Sequence, residues 1–81
     1  MTEAQIKEVI LKVLGRIAPE ADLGTLDPQA NVREALDIDS FDYLNVLIGL
    51  HEELEVEIPE ADYGQLTTLA DIVRYLSARV R

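Results

Sequence analysis

Side chains with chemical potential are few in this chain, and the arrangement that stands out is Leu36-Asp37-Ile38-Asp39-Ser40-Phe41. It sets a serine hydroxyl where a loop gives way to an amphipathic segment. Ser and Asp are favoured helix N-caps because their side-chain oxygens accept from unpaired first-turn amides, so Ser40 reads first as a cap. The same position suits a phosphate ester. Free N–H groups and the helix dipole favour negative charge there, and a loop end is open to a modifying enzyme.

Other routes to chemistry are poorly supplied. The absence of Cys removes a thiolate nucleophile, a disulfide and a thiolate metal site. His51 is the single histidine, with no sequence-apparent triad partners. Glycines 15, 24, 49 and 64 are dispersed rather than grouped into a phosphate-binding loop. Asp37, Asp39 and Asp42 lack the central glycine and twelfth-position glutamate of a calcium loop. Neither self-sufficient catalysis nor a resident metal is expected.

Charge narrows the partners. The 81 residues carry a net charge of −9, and it is concentrated. From Glu34 through Val73 there are eleven Asp and Glu and no Lys or Arg. Such a surface is either plain solvation or a docking field for basic partners. It is a poor match for nucleic-acid phosphates or anionic membranes. With 48% hydrophobic residues the chain has enough to bury for one folded domain over residues 1–81. No apolar run reaches the roughly 18 residues of a membrane span, so a cytoplasmic, monomeric protein is expected. Met1 and the lack of linker sequence favour a free-standing protein.

The elements that must position Ser40 follow from periodicity. Ile6, Val9, Ile10, Val13, Leu14 and Ile17 recur at helical spacing, and Thr2 with Gln5 fits a capping box, predicting a helix over 3–16. Residues 17–38 form a long connection, interrupted by Pro19, Gly24 and Asp27-Pro28. Its Leu23, Leu26, Val32 and Leu36 should pack inward. Asn31 with Glu34 has the spacing of a short helical turn. A second helix is predicted over 40–55, starting at Asp39 or Ser40, with Asp42 favourably placed in its first turn. Pro59 suits the first position of a short helix over 59–64, closed by Gly64. Thr68 with Asp71 opens the last helix, 68–79, whose core face is Leu69, Ile72, Val73, Leu76 and Val80. The expected fold is all-α, a small four-helix bundle of three longer helices and one short one with a long first loop.

The second helix has more apolar surface than one core requires. On a wheel, Leu47, Leu50 and Leu54, with Val46 at the margin, form one stripe. Phe41, Leu44 and Ile48 form another, and together they span roughly 220° against the ~100° of a core-facing stripe. Either the helix is nearly surrounded, or the second stripe belongs to a partner surface bordered by Asp42, Asn45, His51 and Glu52.

These residues resemble the acyl carrier proteins and the related peptidyl carriers. The match runs through Asp39-Ser40-Phe41 with its Leu36-Asp37 approach, Leu44, Leu47, Leu50, Glu52-Glu53, Glu57-Ile58-Pro59 and Thr67-Thr68-Leu69. It covers essentially the whole chain. The resemblance implies that Ser40 is esterified by 4′-phosphopantetheine, taken from coenzyme A by a phosphopantetheinyl transferase, with Asp39 beside the attachment point. The arm's thiol would carry acyl groups as thioesters, which accounts for the missing nucleophile. The 40–55 helix would be the recognition helix offered to basic patches on acyl-loading and acyl-processing enzymes. Phe41, Asp42, Leu44, Asn45, Ile48, His51 and Glu52 would lie on its partner face, and acyl chains would slip between the helices.

Departures from the family pattern point away from a generic role. Phe41 replaces Leu or Met, Asp37-Ile38 replaces a Gly-x approach, and Tyr43 replaces a small residue. Asn45 and His51 stand where fatty-acid carriers commonly have glutamates. A specialised, non-catalytic carrier in a lipid, fatty-acid or polyketide-type pathway is expected. A peptidyl or D-alanyl carrier, or an unmodified acidic interaction module, are the alternatives.

Overall fold

A computed structural model of the chain describes residues 1–80. Its helices are α1 (Glu3–Ile17), α2 (Val32–Leu36), α3 (Ser40–Leu54) and α4 (Leu69–Ser77), with 3-10 turns at Leu23–Thr25 and Glu60–Gln65. The fold is all-α, three longer helices enclosing a shared core. Among the described residues the only β-type pairing is an isolated bridge, Asn31 with Thr68. No helix among them is long and apolar enough to cross a membrane.

Each helix start has a local cause. Thr2 and Gln5 form the expected reciprocal capping box, Thr2 Oγ1 accepting from the Gln5 amide at 3.1 Å and Gln5 Oε1 from the Thr2 amide at 2.9 Å. Thr68 accepts from the Asp71 amide at 3.0 Å. Asn31 accepts from the Glu34 amide at 3.1 Å, so the suggested turn inside the first connection is a five-residue helix. Side-chain caps of this kind satisfy first-turn amides that have no intrahelical partner.

The core joins Ile6, Ile10, Val13 and Leu14 of α1 to Val46, Leu47 and Leu50 of α3 and Leu69, Ile72 and Leu76 of α4. Val46 is fully buried rather than marginal. Val73 and Val80 are only partly buried, while Tyr43 and Tyr75, absent from the expected core faces, are buried. In the first connection Val32 is buried, and Leu23, Leu26 and Leu36 pack against the core from its edge.

The short turn differs from expectation at both ends. Pro59 caps the short turn rather than opening it, and the turn is 3-10 in geometry, continuing through Gly64 to Gln65. Gly64 does not adopt positive φ, so it is not the stop signal it resembles. Gly49 in α3 has a different use: a Cβ there would sit 2.9 Å from Val13 Cγ1. Its missing side chain lets α1 and α3 approach closely.

Candidate functional site

The approach to Ser40 is shaped by how α2 ends. Asp37 adopts the left-handed conformation, φ 53°. The Ile38 amide then donates to the Arg33 carbonyl at 3.0 Å and the Asp37 amide to the Glu34 carbonyl at 3.3 Å. This 6→1 and 5→2 pairing is a Schellman ending, usually made with Gly. Asp tolerates the left-handed well better than most side chains, which explains how Asp37 can stand at a Gly-type position. The connection is anchored to α4: the Val32 amide donates to the Thr67 carbonyl at 2.9 Å, and the Ala70 amide to the Pro28 carbonyl at 3.0 Å. Thus the approach to Ser40 is set by the backbone geometry that ends α2, while the chain entering α2 is tied to the start of α4.

The cap of α3 is Asp39, not Ser40. Asp39 Oδ1 accepts from the Asp42 amide at 2.8 Å, and the Asp39 carbonyl accepts from the Tyr43 amide at 3.0 Å. The reading of Ser40 as a capping serine is therefore corrected: the carboxylate takes the capping role and Ser40 becomes the first helical residue. It is exposed, and among the described residues no side-chain hydrogen bond engages its hydroxyl. Its own amide and that of Phe41 belong to the first turn, where no intrahelical acceptor exists. An accessible oxygen beside two free amides at the start of a 15-residue helix fits a phosphodiester attachment.

The second apolar stripe lies outside the core. Phe41 is 69% exposed, Ile48 43% and Leu44 37%, whereas Leu47 and Leu50 on the opposite stripe are buried. Leu54 is partly buried. Around the exposed stripe, Asp42 and Asn45 are half-buried and His51 and Glu52 exposed.

The charged residues near this face divide. Glu53 turns toward α1, its carboxylate 2.8 Å from Arg16 and 3.4 Å from Lys12. The Lys12 ammonium foremost, with Arg16, holds Glu53 below the usual carboxylate range. Glu52 makes no such pairing among the described residues. His51 has a second occupation that the sequence pattern did not reveal: its Nδ1 lies 2.8 Å from the Val56 carbonyl, across the turn that ends α3. Glu55 forms that turn in the left-handed conformation, φ 54°.

Beside Ser40 opens a cavity of about 340 Å³, walled by Tyr43, Leu44, Leu47, Tyr63 and Leu66. It lies between α3 and the Glu60–Gln65 turn. That turn is clasped to α4 from behind. Tyr75 Oη donates to Asp62 at 2.6 Å, and the Arg79 guanidinium lies 3.6 Å above the Tyr75 ring and 3.8 Å from Asp62. Burial, with the Asp62 hydrogen bond second, raises the Tyr75 pKa. Tyr43 is the residue sequence reasoning missed. It is 8% exposed and its hydroxyl is buried without a partner. Burial pushes its pKa up to about 12. Its bulk at a position small in the resembled family was the available signal. A second and larger groove, about 840 Å³, lies on the other side of Asp37 and Ile38, between the end of α1 and the first connection.

No group of His, Asp and Glu among the described residues is placed to hold a metal ion. Comparison with known proteins converges on one family. The profile described as "Phosphopantetheine attachment site" matches residues 4–76. An acyl carrier protein of Syntrophobacter fumaroxidans is 33% identical over 75 residues, covering 93% of this chain and 86% of the relative. One from Campylobacter fetus subsp. fetus is 31% identical over 72 residues, covering 89% and 87%. The solution structure of a protein from Anaplasma phagocytophilum, described as an acyl carrier protein, superposes with a TM-score of 0.71. It shares 25% identity, covering 94% of this chain and 84% of that one.

Proposed function

The chain belongs to the acyl carrier protein family, whose prosthetic group is 4′-phosphopantetheine, and from that premise we propose that Ser40 is its attachment point. When bound, the group supplies a thiol that carries acyl groups as thioesters. The chain's own contribution is placement. Ser40 offers Oγ to the phosphorus of coenzyme A on a transferase, its proton leaving to that enzyme as adenosine 3′,5′-bisphosphate departs. The first-turn amides of α3 then face the phosphodiester, and Asp39 holds the turn that aims them.

The observation that carries this reading is the division of labour between two adjacent residues. Because Asp39 satisfies the cap, Ser40 is spared for chemistry while remaining at the helix start. The exposed stripe of Phe41, Leu44 and Ile48, rimmed by Asp42, Asn45, His51 and Glu52, is the surface presented to the transferase and to acyl-loading and acyl-processing enzymes with basic patches. The protein acts as a carrier, not a catalyst, and the departures at Phe41, Tyr43, Asn45 and His51 support a specialised role in a lipid, fatty-acid or polyketide-type pathway.

Intact-mass measurement after incubation with coenzyme A and a promiscuous phosphopantetheinyl transferase tests the attachment. One pantetheinyl adduct is expected on the native chain and none on Ser40→Ala, with circular dichroism showing that the variant keeps its helices. An adduct that persists in Ser40→Ala overturns the assignment.

A further inference from the structure

His51 takes the last place on the exposed stripe of α3. Phe41, Leu44, Ile48 and His51 follow one another at steps of three, four and three residues, the spacing of one helical face. The residue is exposed, yet its ring is held in one orientation. Nδ1 lies 2.8 Å from the Val56 carbonyl, beyond the left-handed turn at Glu55. A carbonyl oxygen can only accept a hydrogen bond, so Nδ1 carries the proton donated to it. In the neutral ring that leaves Nε2 unprotonated, as an acceptor. Among the described residues no second hydrogen bond and no ion pair engages the ring.

Uptake of one proton at Nε2 turns that acceptor into a donor and adds a positive charge, a change histidine makes within the physiological range. Nδ1 donates to Val56 in both states. Protonation therefore alters what the ring offers outward and not where it points. The segment packed against the ring is the turn from Glu55 to Glu57. Its charged groups, like Glu52 on α3, are carboxylates that enter no salt bridge among the described residues. Those carboxylates accept from a cation throughout this pH range, whereas His51 accepts only when neutral.

We propose that His51 is a pH-gated acceptor on the docking face. Neutral, it accepts through Nε2 from a Lys or Arg of a basic partner enzyme; protonated, it repels that cation. The proposal rests on the stripe of Phe41, Leu44 and Ile48 as the surface that partners meet.

Because His51 is the single histidine, its ring ¹⁵N resonances need no assignment. In the neutral state they should report the Nδ1–H tautomer, and the Nε2–H tautomer would overturn the proposal. The effect on docking is read as kcat/KM for pantetheinyl transfer, compared at each pH with His51→Gln so that the transferase's own pH profile cancels. The ratio of native to His51→Gln should fall about threefold from about pH 8 to about pH 6 at low salt. The fall should shrink at high salt. His51→Glu, an acceptor across the range, should show no such fall against His51→Gln. Circular dichroism checks that each variant keeps its helices. Ile48→Glu, one turn before His51, separates the two readings. If it slows transfer while the native ratio stays flat, the His51 proposal is overturned. If it leaves transfer unchanged, the docking stripe is overturned instead.

Discussion

The two flanks of α3 are lined with similar apolar residues and do opposite things. Against α1, Gly49 removes a side chain so that the helices close onto Val13, Leu50 is sealed, and Glu53 is pinned by Lys12 and Arg16. Against the Glu60–Gln65 turn, the contact is looser. A cavity remains, a tyrosine hydroxyl goes unpaired, and Leu44 at the margin is 37% exposed. A fold this small has one core, and it places close packing on one side of α3 while leaving room on the other. The difference teaches where stability and function are separable within a single helix.

The contrast is broken most directly by substituting one residue from each stripe. Leu50→Ala, at a fully buried position, should cost about 3 kcal/mol in chemical denaturation. Ile48→Glu, at a site 43% exposed, should stay within about 0.5 kcal/mol while slowing transferase modification. Substantial unfolding by Ile48→Glu would place that residue in the core and erase the distinction between stripes.

The looser flank has its own pH signature. Tyr43 is neutral in both folded and unfolded chains below pH 10, so its stabilising protonation is fully present there. Its pKa rises from 10.0 to about 12 in the fold, so that stability is lost as pH climbs through this window. The loss should reach about 2–3 kcal/mol in alkaline denaturation and be absent in Tyr43→Phe. Equal alkaline limbs in the two proteins would mean the phenol is not held in a dry site.

The smallest effect belongs to the tight flank. Gly49→Ala gains about 1 kcal/mol of helix propensity but must overpack against Val13, whose branched side chain has little rotamer freedom in a helix. A net loss of about 1 kcal/mol is expected. In a Val13→Ala background the same substitution should become stabilising, as a double-mutant cycle would show. Additive effects would mean that the helices are not in limiting contact there.

Much of this was legible from spacing. The capping box at Thr2, the cap pair at Thr68 and Asp71, and the second apolar stripe of Phe41, Leu44 and Ile48, though not its exposure, all follow from helical period and local hydrogen bonding. These are short-range properties, and side-chain type at three- or four-residue intervals is enough to specify them. The Asp39–Ser40 pair was legible as a helix start but not as a division of roles. Both residues are good caps, and only the backbone reaching the Asp42 amide from Asp39 decides between them. Glu52 and Glu53 were indistinguishable as neighbours in sequence. One step of about 100° around α3 carries Glu53 to the cations of α1 and leaves Glu52 outside.

By itself the sequence determined the helical period, the candidate capping residues, the concentrated negative charge and the position of Ser40 at a helix start. Tertiary structure alone decided that Tyr43 is buried without a partner and that Arg33, Asn31 and Ser40 border one cavity. The physical reason is range. Periodicity and capping act within one turn of chain, whereas a cavity is what remains after elements distant in sequence have packed, and its lining comes from whichever side chains that packing leaves over.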